Sequence, residues 1–123
     1  VNDTRAAKPE ITVGYLRAAT GNPADSRRSI ERQPGLCLAL ARELNLNLSR
    51  AYIDYGASGM SADRPGLTGM MHDLSRGGAD FVITADLARL ARDERLSRSL
   101  QNQIDRAGAT LLTATTPQPA GKP

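Results

Sequence analysis

A chain of 123 residues with a formal net charge of +3 is the size of one domain, and 40% hydrophobic residues can build one real core. Tryptophan is absent and aromatic residues make up only 3%, so Leu, Ala, Ile and Val must fill that core and few side chains remain for stacking bases. A lone cysteine, Cys37, rules out an internal disulfide, and a lone histidine, His72, denies zinc sites and histidine triads their partners.

Cys37 lies in an apolar helical run and reads as a small core residue of a cytoplasmic protein. No apolar run approaches membrane-spanning length, and no stretch resembles a signal peptide. The positive charge is modest but distinctive in kind: of 16 basic residues only Lys8 and Lys122 are lysine. Arginine's planar fork suits two-point contacts with phosphate, although a GC-rich genome produces the same bias.

In chain order, residues 1–10 (VNDTRAAKPE) are expected to form a loose arm. ITVGYL (11–16) has the β-branched, apolar character of a buried strand. LCLALARELN (36–45) predicts a helix with Leu36, Leu40, Ala41 and Leu44 on its inner face, and Pro34 fits its first turn. LSRAYID (48–54) reads as a second strand. GLTGMMHDLSRGG (66–78) predicts a helix that buries Leu67, Met70, Met71 and Leu74 and stops at its glycine pair. DFVITA (80–85) is a third strand. LSRSLQNQIDRAG (96–108) is a helix with Leu96, Leu100, Ile104 and Ala107 inward and Gly108 as its stop. TLLTAT (110–115) is a fourth strand, and the proline-rich residues 117–123 are a tail.

This alternation predicts a single α/β domain over 11–116: a three-layer, mostly parallel sheet with helices on both faces, joined by right-handed crossovers. In such sheets a site lies outside the carboxyl ends of the strands. That rule selects Arg17, Ala18, Ala19 and Thr20 after the first strand, and Asp54, Ser58 and Gly59 after the second. ADLARLARD (85–93) follows the third, with Arg89 and Arg92 expected on one side of a turn, and Arg64 precedes a helix on the same rim. Four arginines meeting at one crevice suit a phosphate or another anion.

These residues carry a resemblance to the catalytic domain of the serine recombinases, the resolvase/invertase family. Its Y-x-R-x-S-T block is matched by Tyr15, Arg17, Ala19 and Thr20, and its S-I-x-x-Q block by Ser29, Ile30 and Gln33. D-x-x-x-S-G followed by D-R-P-G-L is matched by Asp54, Ser58 and Gly59, then by Asp63, Arg64, Pro65, Gly66 and Leu67. L-D-R-L-x-R-D is matched by Leu87, Arg89, Leu90, Arg92 and Asp93. Order and spacing hold from about residue 11 to 116.

The resemblance implies attack of a serine hydroxyl on a DNA phosphodiester, with arginines holding the phosphate and no metal or nucleotide cofactor. It implies Arg17, Arg64, Arg89 and Arg92 as catalytic residues, and Gln33, Asp54 and Ser58 beside them as phosphate- or DNA-binding residues. The nucleophile position, however, is Ala19, which has no oxygen to attack with. Ala88 replaces the Asp of L-D-R-L, and Asp86 replaces a basic residue common just before it. Three departures together point to a degenerate site rather than one engineered substitution. Family members continue past the fourth strand into a further strand, a dimerisation helix and a helix-turn-helix, which these 123 residues do not include. The expectation is an inactive domain that binds DNA backbone weakly by itself and works with a second copy or a recombinase partner, and not at a membrane. The alternatives are a fragment of an active recombinase carrying Ser→Ala, and a protein–protein regulatory module that keeps only the fold.

Overall fold

The computed structural model describes residues 10–18, 23–55 and 64–115, and within 23–31 the backbone alone. The expected arm, apart from Glu10, and the tail lie outside these residues. Strands and helices alternate as β1 (Thr12–Arg17), α1 (Pro23–Glu43), β2 (Leu48–Asp54), α2 (Pro65–Ser75), β3 (Phe81–Thr84), α3 (Leu87–Leu90), α4 (Glu94–Arg106) and β4 (Thr110–Thr113). The sheet order is β2-β1-β3-β4, and every neighbouring pair is parallel.

All six residues of β1 are buried, as a central strand covered on both faces requires. Alternation sends Val13 and Tyr15 into one core with Leu67, Met70, Leu74, Leu100 and Ile104 from α2 and α4. Leu16 goes to the other face, against Cys37 and Ala41 of α1 and Ile83 of β3. Burial pushes the Cys37 thiol up to about 11, so it stays protonated and unreactive at neutral pH. Gly77, at φ 75°, takes the left-handed turn that ends α2. Among the described residues no helix is long and apolar enough to cross a membrane.

Two expectations need correction. The first is α1, which begins at Pro23 and carries Pro34 in its interior, so Pro23 is the proline that suits a first turn. Its inward residues are Gln33, Cys37 and Ala41, whereas Leu36 and Leu44 are 41% and 45% exposed. A polar contact sets this rotation: Gln33 must reach the backbone of Arg17, and that turns Leu36 and Leu44 outward while Leu40 still packs against the core as expected. The second is the segment after β3. The helix there is a single turn, and Ala91 is already extended (φ −165°, ψ 141°), so Arg89 and Arg92 do not share one side of a turn. Arg92 lies beyond the helix and is exposed.

Candidate functional site

From β1 the chain passes outward to β2, and from β3 it passes outward to β4, so the connections diverge between the two central strands. A crevice opens at the carboxyl ends of β1 and β3, where α/β sheets place their ligands. The last β1–β3 pair is Tyr15 with Thr84, which leaves the N–H and C=O of Arg17 without a strand partner on that side. The Gln33 side chain takes the place of a strand: Arg17 N donates to Oε1 at 3.0 Å, and Nε2 donates to Arg17 O at 2.8 Å.

The single-turn helix α3 ends in carbonyls that it cannot satisfy internally. Two buried guanidinium groups satisfy them. Arg17 Nη2 donates to Ala88 O at 2.6 Å and Nε to Arg89 O at 2.9 Å. Arg64 Nη1 donates to Arg89 O at 3.2 Å and Nη2 to Leu90 O at 2.5 Å. Both side chains are 1% exposed.

Arg64 also occupies the N-cap position of α2, with no side-chain capping bond of its own. The cap comes from the neighbouring strand. Asp54 Oδ1 accepts from Gly66 N at 2.7 Å and Oδ2 from Leu67 N at 2.9 Å, while the Tyr15 hydroxyl donates to Oδ2 at 2.6 Å. Arg64 Nη1 donates to that hydroxyl at 3.3 Å, so Tyr15 links the carboxylate to the arginine. Burial, and then the bond to Asp54, push the Tyr15 pKa well above its ordinary value, which keeps the hydroxyl a donor. Gly66 allows the close approach: a Cβ there would lie 2.8 Å from Ile53 O and 2.9 Å from Asp54 Oδ2. Gly66→Ala is therefore expected to destabilise the domain by about 2–3 kcal/mol, measured by urea denaturation. A loss under about 0.5 kcal/mol would mean that the cap does not depend on this contact.

The electrostatics are those of crowded cations. Burial lowers the Arg17 pKa most, Arg64 lowers it next, and Arg89 and Arg92 add to the shift against Tyr15. Arginine stays protonated even so, and the crowding remains as repulsion. Arg89 Nη1 donates to Arg17 O at 3.4 Å, and its Nε lies 3.8 Å from Asp86 Oδ2. Arg64 Nε and Arg89 Nε are buried donors with no hydrogen-bond acceptor among the described residues.

Of the residues expected at the site, Arg17, Gln33, Asp54, Arg64 and Arg89 form one connected network. Arg92 stands at its exposed rim and acts on it through its charge. Ala19, Thr20, Ser58 and Gly59 lie outside the described residues. Sequence reasoning did not assign Tyr15 its bridging role, Gly66 its clearance or Asp86 its cap on α3, where Oδ1 accepts from Arg89 N. The spacing of Asp86 three residues before Arg89 was a legible cap signal. The backbone acceptors of Ala88, Arg89 and Leu90 leave none.

No curated protein gives a significant match to the sequence. Among solved structures, the chain is similar to the N-terminal catalytic domain of TP901-1 integrase, with 24% identity and a TM-score of 0.78 over 85% of this chain and 78% of that one. It is also similar to the C-terminal catalytic domain of ISC1926 TnpA, an IS607-like serine recombinase (20% identity, TM-score 0.76, 88% and 72% covered). A resolvase family site-specific recombinase from Streptococcus pneumoniae matches at 26% identity and a TM-score of 0.72, with 85% and 72% covered. The sequence itself matches the family "Resolvase, N terminal domain" over residues 12–123, from the first residue of β1 onward. This chain therefore belongs to the serine recombinases, with the fold of their catalytic domain.

Proposed function

We propose that this domain grips the phosphodiester backbone of DNA at the switch point without cutting it. The observation that supports this is the local charge: Arg17, Arg64, Arg89 and Arg92 are gathered there against Asp54 and Asp86. The division of labour follows from burial. Arg17 and Arg64 hold the carbonyls of α3, while α3 carries Arg89 and leads directly to Arg92, so two arginines build the frame and two face the ligand.

With serine at position 19, its oxygen would bond to phosphorus, the bond to the 3′-oxygen would break, and a proton would pass to that oxygen. Ala19 supplies neither oxygen nor proton, so the first bond cannot form. Deleting the nucleophile of a serine hydrolase lowers its rate by about a million-fold. A net charge of +3 makes one domain a weak binder, and a second copy or a recombinase partner raises the affinity through avidity.

The test is fluorescence anisotropy with a short labelled duplex over a range of salt. Binding is expected to weaken steeply as salt rises, Arg92→Ala to weaken it by about 3–10-fold, and nicked DNA to yield no covalent adduct. No binding at low salt, or binding indifferent to both Arg89→Ala and Arg92→Ala, would sink the proposal. A covalent adduct would overturn its non-cutting half.

A further inference from the structure

On the α1 side of the sheet, a cavity of about 500 Å³ opens at the carboxyl end of β3 and just beyond β4. Arg32, Gly35 and Leu36 of α1 form one wall, Asp86 and Arg89 the other, and Thr115 lines it too. Arg32 is exposed and makes no hydrogen bond or ion pair with any described residue. Gly35 leaves open space where a side chain would stand. Asp86 turns both oxygens on Arg89: Oδ1 accepts from the backbone N–H at 3.2 Å and Oδ2 lies 3.8 Å from Nε. One carboxylate thus offsets one guanidinium, and no carboxylate among the described residues pairs with Arg32. Gly35 and Leu36 add no charge to the wall, and Gln33, which also lines it, has its amide bonded to the Arg17 backbone.

We propose that this cavity is a second phosphate site, in which Arg32 and Arg89 hold the backbone phosphate adjacent to the one gripped at the switch point. Asp86 is the internal anion that this phosphate displaces from the Arg89 side chain. The inference rests on the reading of DNA backbone as the domain's ligand, and it adds Arg32 and Asp86 as determinants of affinity. Displacement fits the loose 3.8 Å geometry, because a phosphate oxygen at hydrogen-bond distance gives Arg89 Nε the acceptor it lacks among the described residues.

The experiment compares the wild type with Arg32→Ala and Asp86→Asn in duplex-DNA binding across salt. It also follows the Gly35 and Thr115 amide resonances during titration with inorganic phosphate. Asparagine keeps the cap on α3, so Asp86→Asn alters charge rather than fold. Arg32→Ala is expected to weaken DNA binding by about 3–10-fold and to reduce the log–log salt slope by about one. Asp86→Asn is expected to tighten binding by a similar factor. If both variants bind DNA as the wild type does, the second site is overturned while DNA binding at the switch point stands. If the wild type binds no DNA but inorganic phosphate shifts both resonances, and Arg32→Ala abolishes the shift, the cavity stands as a site for free phosphate and the DNA reading alone falls. Absence of both responses overturns both.

Discussion

Replacing Asp54 with alanine is expected to destabilise the domain by about 3–5 kcal/mol, or about 10–20 °C in Tm. The carboxylate is 5% exposed and accepts from Gly66 N, Leu67 N and the Tyr15 hydroxyl. Its removal orphans the first turn of α2 and leaves the Tyr15 hydroxyl without its acceptor. It also removes a negative charge from beside Arg17 and Arg64. Each bond to a charged acceptor is worth about 1.5–3 kcal/mol, and partial entry of water brings their sum down to the stated range. Asp54→Asn, which keeps one acceptor oxygen, should cost about half as much. Chemical denaturation of the three proteins decides the matter, and an alanine variant within 1 kcal/mol of the wild type would show that the cap and the bridge are not coupled.

Arg64→Ala is the second large effect, and two terms compete in it. Losing the guanidinium orphans Leu90 O and weakens the hold on Arg89 O, at about 1–3 kcal/mol for each buried carbonyl, and leaves a cavity behind. Relief of repulsion on Arg17 works in the opposite direction. The first term should win, because Arg17 already keeps its charge among carbonyl acceptors of its own. The expected result is a loss of about 3 kcal/mol, together with a more than tenfold loss of DNA affinity as α3 loosens. Arg92→Ala gives the opposite profile: it changes stability by less than about 0.5 kcal/mol and weakens DNA binding all the same. If Arg64→Ala unfolds at the wild-type midpoint, α3 is held by something other than these arginines.

The central strand was legible because burial leaves a local mark, whereas the edge strand β2, in which only Asp54 is buried, was legible from its residue types. ITVGYL and LSRAYID need no distant partner to be recognised, and β2 was expected at the residues it occupies. The parallel sheet followed from alternation alone. What misled the reading of α1 was a contact between residues 16 apart, the Gln33 amide on the Arg17 backbone. Periodicity counts apolar positions, and a glutamine that fixes the phase of a helix is invisible to that count. The rim after β3 misled for a related reason. LARLAR has the spacing of a continuing helix, yet the chain must leave α3 at Ala91 to reach the Asp93 cap of α4, where Leu96 N donates to Oδ2 at 2.8 Å. The arginines were found as a set, but their difference in burial was not, because sequence does not reveal which backbone carbonyls will need a donor.

The amide of Gln33 completes β1 at Arg17, two residues before Ala19. That closure draws on a side chain of α1 and the backbone of β1. On the non-cutting reading proposed above, loss of cutting and loss of shape are separate events, and the fold outlasts the chemistry.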